Sequence, residues 1–131
     1  MRVTENLTAG AAKADSDEVV SRQHIEKPWG VEEVWDAGRY VVKCLHLRPG
    51  HRLSRQYHRQ KTETLMVHRG QVRIALGDAE RIYRPGEVVH VPAGKVHRIA
   101  AVDGPAVLFE ASTPELDDVV RVEDDYGRVA G

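Results

Sequence analysis

At 131 residues the chain holds one domain of the usual ~100–200-residue size. Its composition, 41% hydrophobic and 30% charged with a mean hydropathy of −0.45, is globular rather than disordered or membrane-embedded, and no apolar run approaches the roughly 20 residues of a spanning helix. Nineteen basic against twenty acidic side chains, net −1, exclude a coat for nucleic acid, and a lone Cys44 excludes an internal disulfide and a multi-thiolate zinc site, so nitrogen and oxygen are the expected ligands of any metal.

Residues 1–23 are small, polar or acidic without an apolar period and read as a mobile arm. They lack the basic-then-apolar order of a secretory signal, so an intracellular, cytoplasmic protein is expected. The core domain is expected over 24–112. Within it, turn signals recur at Ala37-Gly38, Pro49-Gly50, Arg69-Gly70, Gly77-Asp78, Pro85-Gly86, Ala93-Gly94 and Asp103-Gly104-Pro105, and most gaps between them suit the short strands of a sandwich or barrel.

The first clear strand is 40–48, with Val41, Leu45 and Leu47 on one face. Lys43 breaks into that face, either as an edge residue reaching back to water or as a cation inside a cavity. Val72, Ile74 and Leu76 alternate in the same way. Near the end, Thr113-Pro114-Glu115 followed by Leu116, Val119 and Val120 predicts a short helix that opens a C-terminal segment over 113–131.

Between these strands lies the chemistry. Gln56 and His58, two apart, project from one strand face; Glu63 can return toward them across a tight connection; His97 follows the rigid Pro92-Ala93-Gly94 turn. Two histidines, a carboxylate and an amide oxygen suit a divalent metal with room for water or substrate. His24, His46, His51, His68 and His90 lack such company and read as ordinary. From Lys43 to Arg73, eight Lys or Arg residues face Glu63 alone, an excess able to steer an anion. Alternation turns Arg55, Arg73 and Arg98 outward, and many of these cations are expected to pair with the acids of 110–125. Aromatic residues are only 5% of the chain and give the basic run no row of stacking side chains, so no nucleic-acid surface is expected.

The segment from Gly50 through Gln56, His58 and Glu63 to Gly70, and that from Gly86 through Pro92 and Gly94 to His97, resemble the paired motifs of the cupin superfamily. The resemblance implies an all-β fold, a small double-stranded β-helix (jelly-roll) barrel, with Gln56, His58, Glu63 and His97 as metal ligands. This glutamine-containing set is similar to the zinc site of mannose-6-phosphate isomerases, so Zn2+ is the expected ion, with Mn, Fe or Ni as alternatives. Lys27-Pro28-Trp29-Gly30, Leu53-Ser54-Arg55-Gln56, Val91 through Arg98, Asp117 through Arg121 and Asp125-Tyr126-Gly127-Arg128 resemble the C-terminal cupin domain of the type II enzymes.

That likeness implies a metal-dependent aldose–ketose isomerase acting on a sugar phosphate, with Lys43 or Glu110 to carry the proton and Arg121 and Arg128 to hold the phosphate. Nucleotidyl transfer is not expected. The rival readings are a non-catalytic cupin that binds a sugar or other small anion, and an iron or manganese oxygenase. Cupins often pair through edge strands, so a homodimer without membrane or nucleic-acid partners is expected. The sequence departs from the family after His58, where Arg59-Gln60-Lys61-Thr62-Glu63-Thr64-Leu65 replaces a histidine-rich run, and at Ala101, where an asparagine is usual.

Overall fold

The computed structural model describes residues 20–129. Nine strands join in one antiparallel sheet: β1 (Ser21–Lys27), β2 (Gly30–Asp36), β3 (Val41–Leu47), β4 (Arg55–Tyr57), β5 (Glu63–Leu76), β6 (Ala79–Tyr83), β7 (Val88–Val91), β8 (His97–Ser112) and β9 (Val120–Glu123). One path runs β1-β2-β3-β8-β4-β9, and β5 joins β8 to β6 and β7. The sheet curls on itself, and its inward side chains fill the core. Strand β1 begins at Ser21, within the segment expected as an arm; residues 1–19 of that segment lie outside the described residues.

Two long strands organise the barrel. The turn signals at Arg69-Gly70 and Asp103-Gly104 do not reverse the chain; they bend β5 and β8, whose pairing shifts register between Val67 and Arg69 and again between Arg69 and Gln71. Bulges of this kind let one strand serve two differently oriented halves of a sheet. Gly70 has φ +74°, and a Cβ there would meet the Pro105 carbonyl oxygen at 2.2 Å, so only glycine fits. Asp103, with φ +57°, takes the left-handed conformation on the opposing strand, a region acidic and amide residues tolerate best after glycine.

Alternation dictates the core. Leu45 and Leu47 of β3, Leu65, Val67, Val72 and Ile74 of β5, Val91 of β7, and Ile99, Ala106 and Leu108 of β8 pack with Trp29 into one buried cluster. The same inward rows turn polar at one end, where Lys43 pairs with Glu110 in register and Glu110 with Leu65.

The expected C-terminal helix does not form. Residues 113–119 make turns, and Val120–Glu123 instead adds β9 to the free edge of β4. Two β-branched valines at 120 and 122 suit a strand, and an open edge offers a partner for every backbone group, which an exposed single-turn helix lacks. The Asp118 carboxylate accepts the backbone N–H groups of Arg59, Gln60 and Lys61 at 2.9, 2.7 and 2.9 Å. Among the described residues there is no helix long and apolar enough to cross a membrane.

Candidate metal centre and its cleft

Four strand ends and loops meet at the polar end of the barrel. His58 follows β4, Glu63 opens β5, His97 opens β8, and Gln56 pairs with His97 across β4 and β8. The two motifs are tied directly, since the Gly94 N–H donates to the His58 carbonyl at 2.7 Å. A second clasp, Thr113 N–H to the Thr62 carbonyl and Thr62 N–H to Thr113 Oγ1, each 3.1 Å, fixes the start of β5.

Here His58 Nε2 lies 3.4 Å from Glu63 Oε1, and His97 Nε2 lies 3.5 Å from Glu63 Oε2. One ligand atom from each of the three residues falls within 4.8 Å of the others, and all three side chains are buried. Both rings are oriented from behind: His58 Nδ1 donates to the Asp118 carbonyl at 2.6 Å and His97 Nδ1 to the Lys95 carbonyl at 2.9 Å. A carbonyl only accepts, so each Nδ1 carries the hydrogen and each Nε2 presents a lone pair inward.

His58 Nε2, His97 Nε2 and Glu63 Oε1 are buried without a hydrogen-bond partner. Buried polar atoms are nearly always satisfied, and two imidazole lone pairs left over, backed by carbonyls that fix the tautomers and converging on a carboxylate whose Oε1 has only the Lys61 ion pair, fit a divalent cation. Gln56 stands beside them, half-buried, with its Oε1 accepting from Ser54 Oγ at 2.7 Å. Of the four expected ligands, the two histidines and the glutamate come within 4.8 Å of one another, and Gln56 lines the same cleft as His58.

Charged residues surround this centre. Lys61, missed in the sequence except as one of a basic run, is buried and bridges Glu63 Oε1 at 3.2 Å and Glu110 Oε2 at 2.9 Å. The two-residue step from Lys61 to Glu63, which puts both on one side of an extended chain, was the available signal. Burial alone would lower the Lys61 ammonium, but Glu110 and Glu63 outweigh it and the net shift is upward. Burial pushes Glu110 up, the Glu63 charge adds to the rise, and Lys61 and Lys43 oppose it. Burial also works against a charged Glu63, yet the adjoining His58 and His97 imidazoles and the Lys61 charge hold it well below the carboxylate range.

Lys43 points into the cavity rather than back to water, where it meets Glu32 Oε2 at 3.3 Å. Lys43, Lys61, Glu110, Gln56 and His58 line a cleft of about 100 Å³. At its mouth stand Lys27, Arg121 and Arg128. Arg121 is opposite Gln56 in the β4–β9 register, and its Nε is buried with no hydrogen-bond partner. Burial lowers the Arg121 guanidinium, and the nearby Arg128 charge lowers it further. Arg128 is held by Asp124, with Nε to Oδ2 at 2.8 Å and Nη2 to Oδ1 at 2.9 Å.

Two members of the remaining basic run pair with the C-terminal acids. Arg52 meets Asp125 at 2.7 Å and Arg55 meets Glu123 at 3.1 Å. Arg98, expected to face water, is instead only 5% exposed. Its Nε donates to the Leu53 carbonyl at 3.0 Å, and its terminal nitrogens face Glu123 and Asp125 at 3.4 and 3.3 Å. The outer side of β8 is covered there by the chain around Leu53 and by the turn after β9.

A family model described as "Mannose-6-phosphate isomerase C-terminal" matches residues 14–124. Among curated proteins, mannose-1-phosphate guanylyltransferase ManC of Salmonella typhimurium is 36% identical over 82% of the chain and 23% of its own length. The alginate biosynthesis protein AlgA of Pseudomonas aeruginosa is 32% identical over 84% of the chain and 24% of its own length. The chain thus spans about a quarter of the length of the curated relatives it matches. Among solved structures, KdgF from Halomonas sp. superposes with a TM-score of 0.65 at 16% identity, covering 72% of this chain and 86% of that one. The oxalate decarboxylase of Lactobacillus farciminis, in its formate complex, gives 0.68 at 15% identity, covering 77% of this chain and 33% of that one. These likenesses agree with the curled sheet and make the fold a cupin barrel.

Proposed function

Because the chain belongs to the mannose-6-phosphate isomerase C-terminal family, we propose that it is a metal-dependent aldose–ketose isomerase acting on a hexose 6-phosphate of the mannose type. The observation that carries this reading is the convergence of two buried imidazole nitrogens without hydrogen-bond partners, His58 Nε2 and His97 Nε2, on the buried Glu63 carboxylate, beside a cleft that holds buried acids and bases. In this reading His58, Glu63, His97 and Gln56 hold the ion, with Zn2+ favoured for an imidazole and carboxylate set. When bound, such an ion polarises a sugar carbonyl and offsets the negative charge that develops on the two oxygens during isomerisation.

The proton must move between two neighbouring carbons, and the chain supplies the group to carry it. Glu110 is buried, faces the cleft and is pushed up by burial and by Glu63, toward the range where a carboxyl can both take and return a proton. Lys43, tied to Glu32, is placed to orient a hydroxyl or share the proton. Lys61 fixes the positions of Glu63 and Glu110 at once. A cleft of about 100 Å³ is smaller than the roughly 300 Å³ of common ligand pockets, so the reacting carbons enter and the phosphate stays at the mouth. Arg121, with its unpartnered Nε, and Arg128 are there to receive it.

Sugar phosphates are soluble and cytoplasmic, which is where this reading places the chain, as a homodimer paired through an edge such as β1. The test is conversion of fructose 6-phosphate to mannose 6-phosphate by the metal-loaded chain, compared with the chelator-treated chain. Turnover above that control supports the proposal, and none rejects it. A second reading, sugar-phosphate binding without turnover, is favoured by the fact that Lys43, Lys61 and Glu110 are all engaged in ion pairs. It predicts a raised melting temperature with mannose 6-phosphate and no product.

A further inference from the structure

On the opposite face of the same sheet, we infer a second metal site, a zinc-type centre formed by Cys44, His46 and Glu33 with His24 as the fourth ligand. Register alone assembles it. His24 is the partner of Glu33 between β1 and β2, and Glu33 is the partner of Cys44 between β2 and β3, so the three lie in one cross-strand row. His46, two residues along β3 from Cys44, shares its face. The alternate residues Lys43 and Leu45 point inward to the cleft and core, so the two centres are separated by the thickness of the sheet.

The geometry suits a tetrahedral ion. Cys44 Sγ lies 3.4 Å from His46 Nε2, and His46 Nε2 lies 3.6 Å from Glu33 Oε1. His24 Nδ1 lies 3.6 Å from Glu33 Oε2. Zinc bonds of about 2.0–2.3 Å in tetrahedral arrangement give ligand-to-ligand edges of roughly 3.3–3.7 Å, so the Cys44, His46 and Glu33 separations need little adjustment, whereas the exposed His24, which meets the other carboxylate oxygen, has to swing toward the ion. Ligand atoms of Glu33, Cys44 and His46 are all within 4.8 Å of one another. Arg22 approaches Glu33 only through Oε2, at 3.8 Å, leaving Oε1 to the His46 side. The thiol is buried, at 5% residue exposure, while His46 and His24 are open to solvent, which gives the ion a route in and shields its sulfur ligand.

Three strands contribute ligands, and one of them, β1, is the edge of the sheet. A bound ion would therefore clip that edge to β2 and β3, stabilising the fold by linkage. The set also reverses the expectation that a metal on this chain has only nitrogen and oxygen ligands, and gives His24 and His46 the company they lack in the sequence.

Cys44 is the only cysteine in the chain, which makes the test selective. The chelator-treated full chain is titrated with Co2+ under reducing conditions, and the near-ultraviolet thiolate-to-cobalt band is followed. The expected result is a band that saturates at stoichiometric cobalt and is displaced by Zn2+. It should vanish in Cys44→Ser, fall strongly in Glu33→Ala and His46→Ala, and persist in His58→Ala and His97→Ala. Absence of the band at stoichiometric cobalt, or a band unchanged in both Glu33→Ala and His46→Ala, overturns the assignment. Because His46 is exposed, His46→Ala keeps the test decisive if Cys44→Ser does not fold. Persistence of the band in a chain that has lost the His58 and His97 ion would separate this site from the isomerase centre.

Discussion

Removal of the Lys61 charge should destabilise the metal-free barrel by several kcal/mol and make its stability fall as pH rises. Lys61 Nζ is 2.9 Å from Glu110 Oε2 and 3.2 Å from Glu63 Oε1, with all three side chains buried. At an effective dielectric constant of ~20, each contact attracts by about 5–6 kcal/mol, opposed by desolvation of three ions and by repulsion between the two carboxylates. Lys61→Met keeps the apolar stem but leaves two buried acids without their shared cation. The typical loss for that situation is about 3–5 kcal/mol.

Protonation then relieves part of the loss, and this sets the sign of the pH effect. Burial and Glu63 already push Glu110 up, and Lys61 is the strongest opposition. Without it, folded Glu110 holds a proton that the unfolded chain gives up above the ordinary carboxylate range. The native state thus binds more protons than the unfolded one. Stability is fully present below the unfolded value and declines as pH rises through the folded one, by up to about 1.4 kcal/mol per unit. Urea unfolding of the chelated parent and variant, followed by the fluorescence of buried Trp29 and of Trp35 from about pH 5 to 8, reads both quantities. A second change, Glu110→Gln, should flatten the slope. A Lys61→Met chain within about 1 kcal/mol of the parent at every pH, without slope, would refute the reasoning.

His58→Ala and His97→Ala should each abolish stoichiometric metal at the His58–Glu63–His97 centre, with a smaller loss for Gln56→Ala; elemental analysis of tag-free protein checks this, and equal metal in all three would contradict the ligand assignment. Asp118→Ala frees the loop whose three N–H groups it gathers and whose neighbour is His58, so metal affinity should drop by roughly tenfold or more with the fold intact, measurable by chelator competition. Asp124, lowered to about 2 chiefly by its Arg128 hydrogen bonds, contributes stability that is present above the unfolded carboxylate value and lost as pH falls through about 2; on the order of 1–2 kcal/mol of acid-labile stability should disappear in Arg128→Met. The proposed homodimer is checked by light scattering, where a concentration-independent monomer mass would discard it.

What the sequence reveals of this molecule follows from what is local. Alternation in residues 40–48 and 72–76 is a property of a few neighbouring side chains, so the inward rows of β3 and β5 are legible. His58, Glu63 and His97 are legible through the resemblance of their glycine-bounded segments to the cupin motifs, and the structure brings these three side chains together. The helix over 113–120 fails for a non-local reason. Thr113-Pro114-Glu115 carries genuine helix-start chemistry, but the open edge of β4, some sixty residues earlier in sequence, captures Val120–Glu123, and local propensity yields to tertiary pairing. Arg98 goes astray in the same way, since alternation turns it outward correctly and only the fold places Leu53, Glu123 and Asp125 over it.

Lys61 shows why the charged end of the barrel was hardest to read. One strand step, about 7 Å along the chain for two residues, separates Leu65 from Glu63 and Leu45 from Lys43, so hydrocarbon and charge occupy successive levels of one interior. The apolar level, with Leu45, Leu65 and Leu108 all nearly inaccessible, supplies the burial that holds the fold. It also forms the low-dielectric floor against which Glu63, Glu110, Lys43 and Lys61 must compensate one another. That compensation leaves His58 Nε2 and His97 Nε2 without hydrogen-bond partners beside the Glu63 carboxylate, and a divalent ion has the charge and coordination to satisfy all three residues together. Loading the centre should therefore stabilise the parent and, by supplying positive charge beside Glu63, reduce the cost of Lys61→Met. An undiminished cost in the metal-loaded chain would mean that Lys61 and the ion act on separate charges.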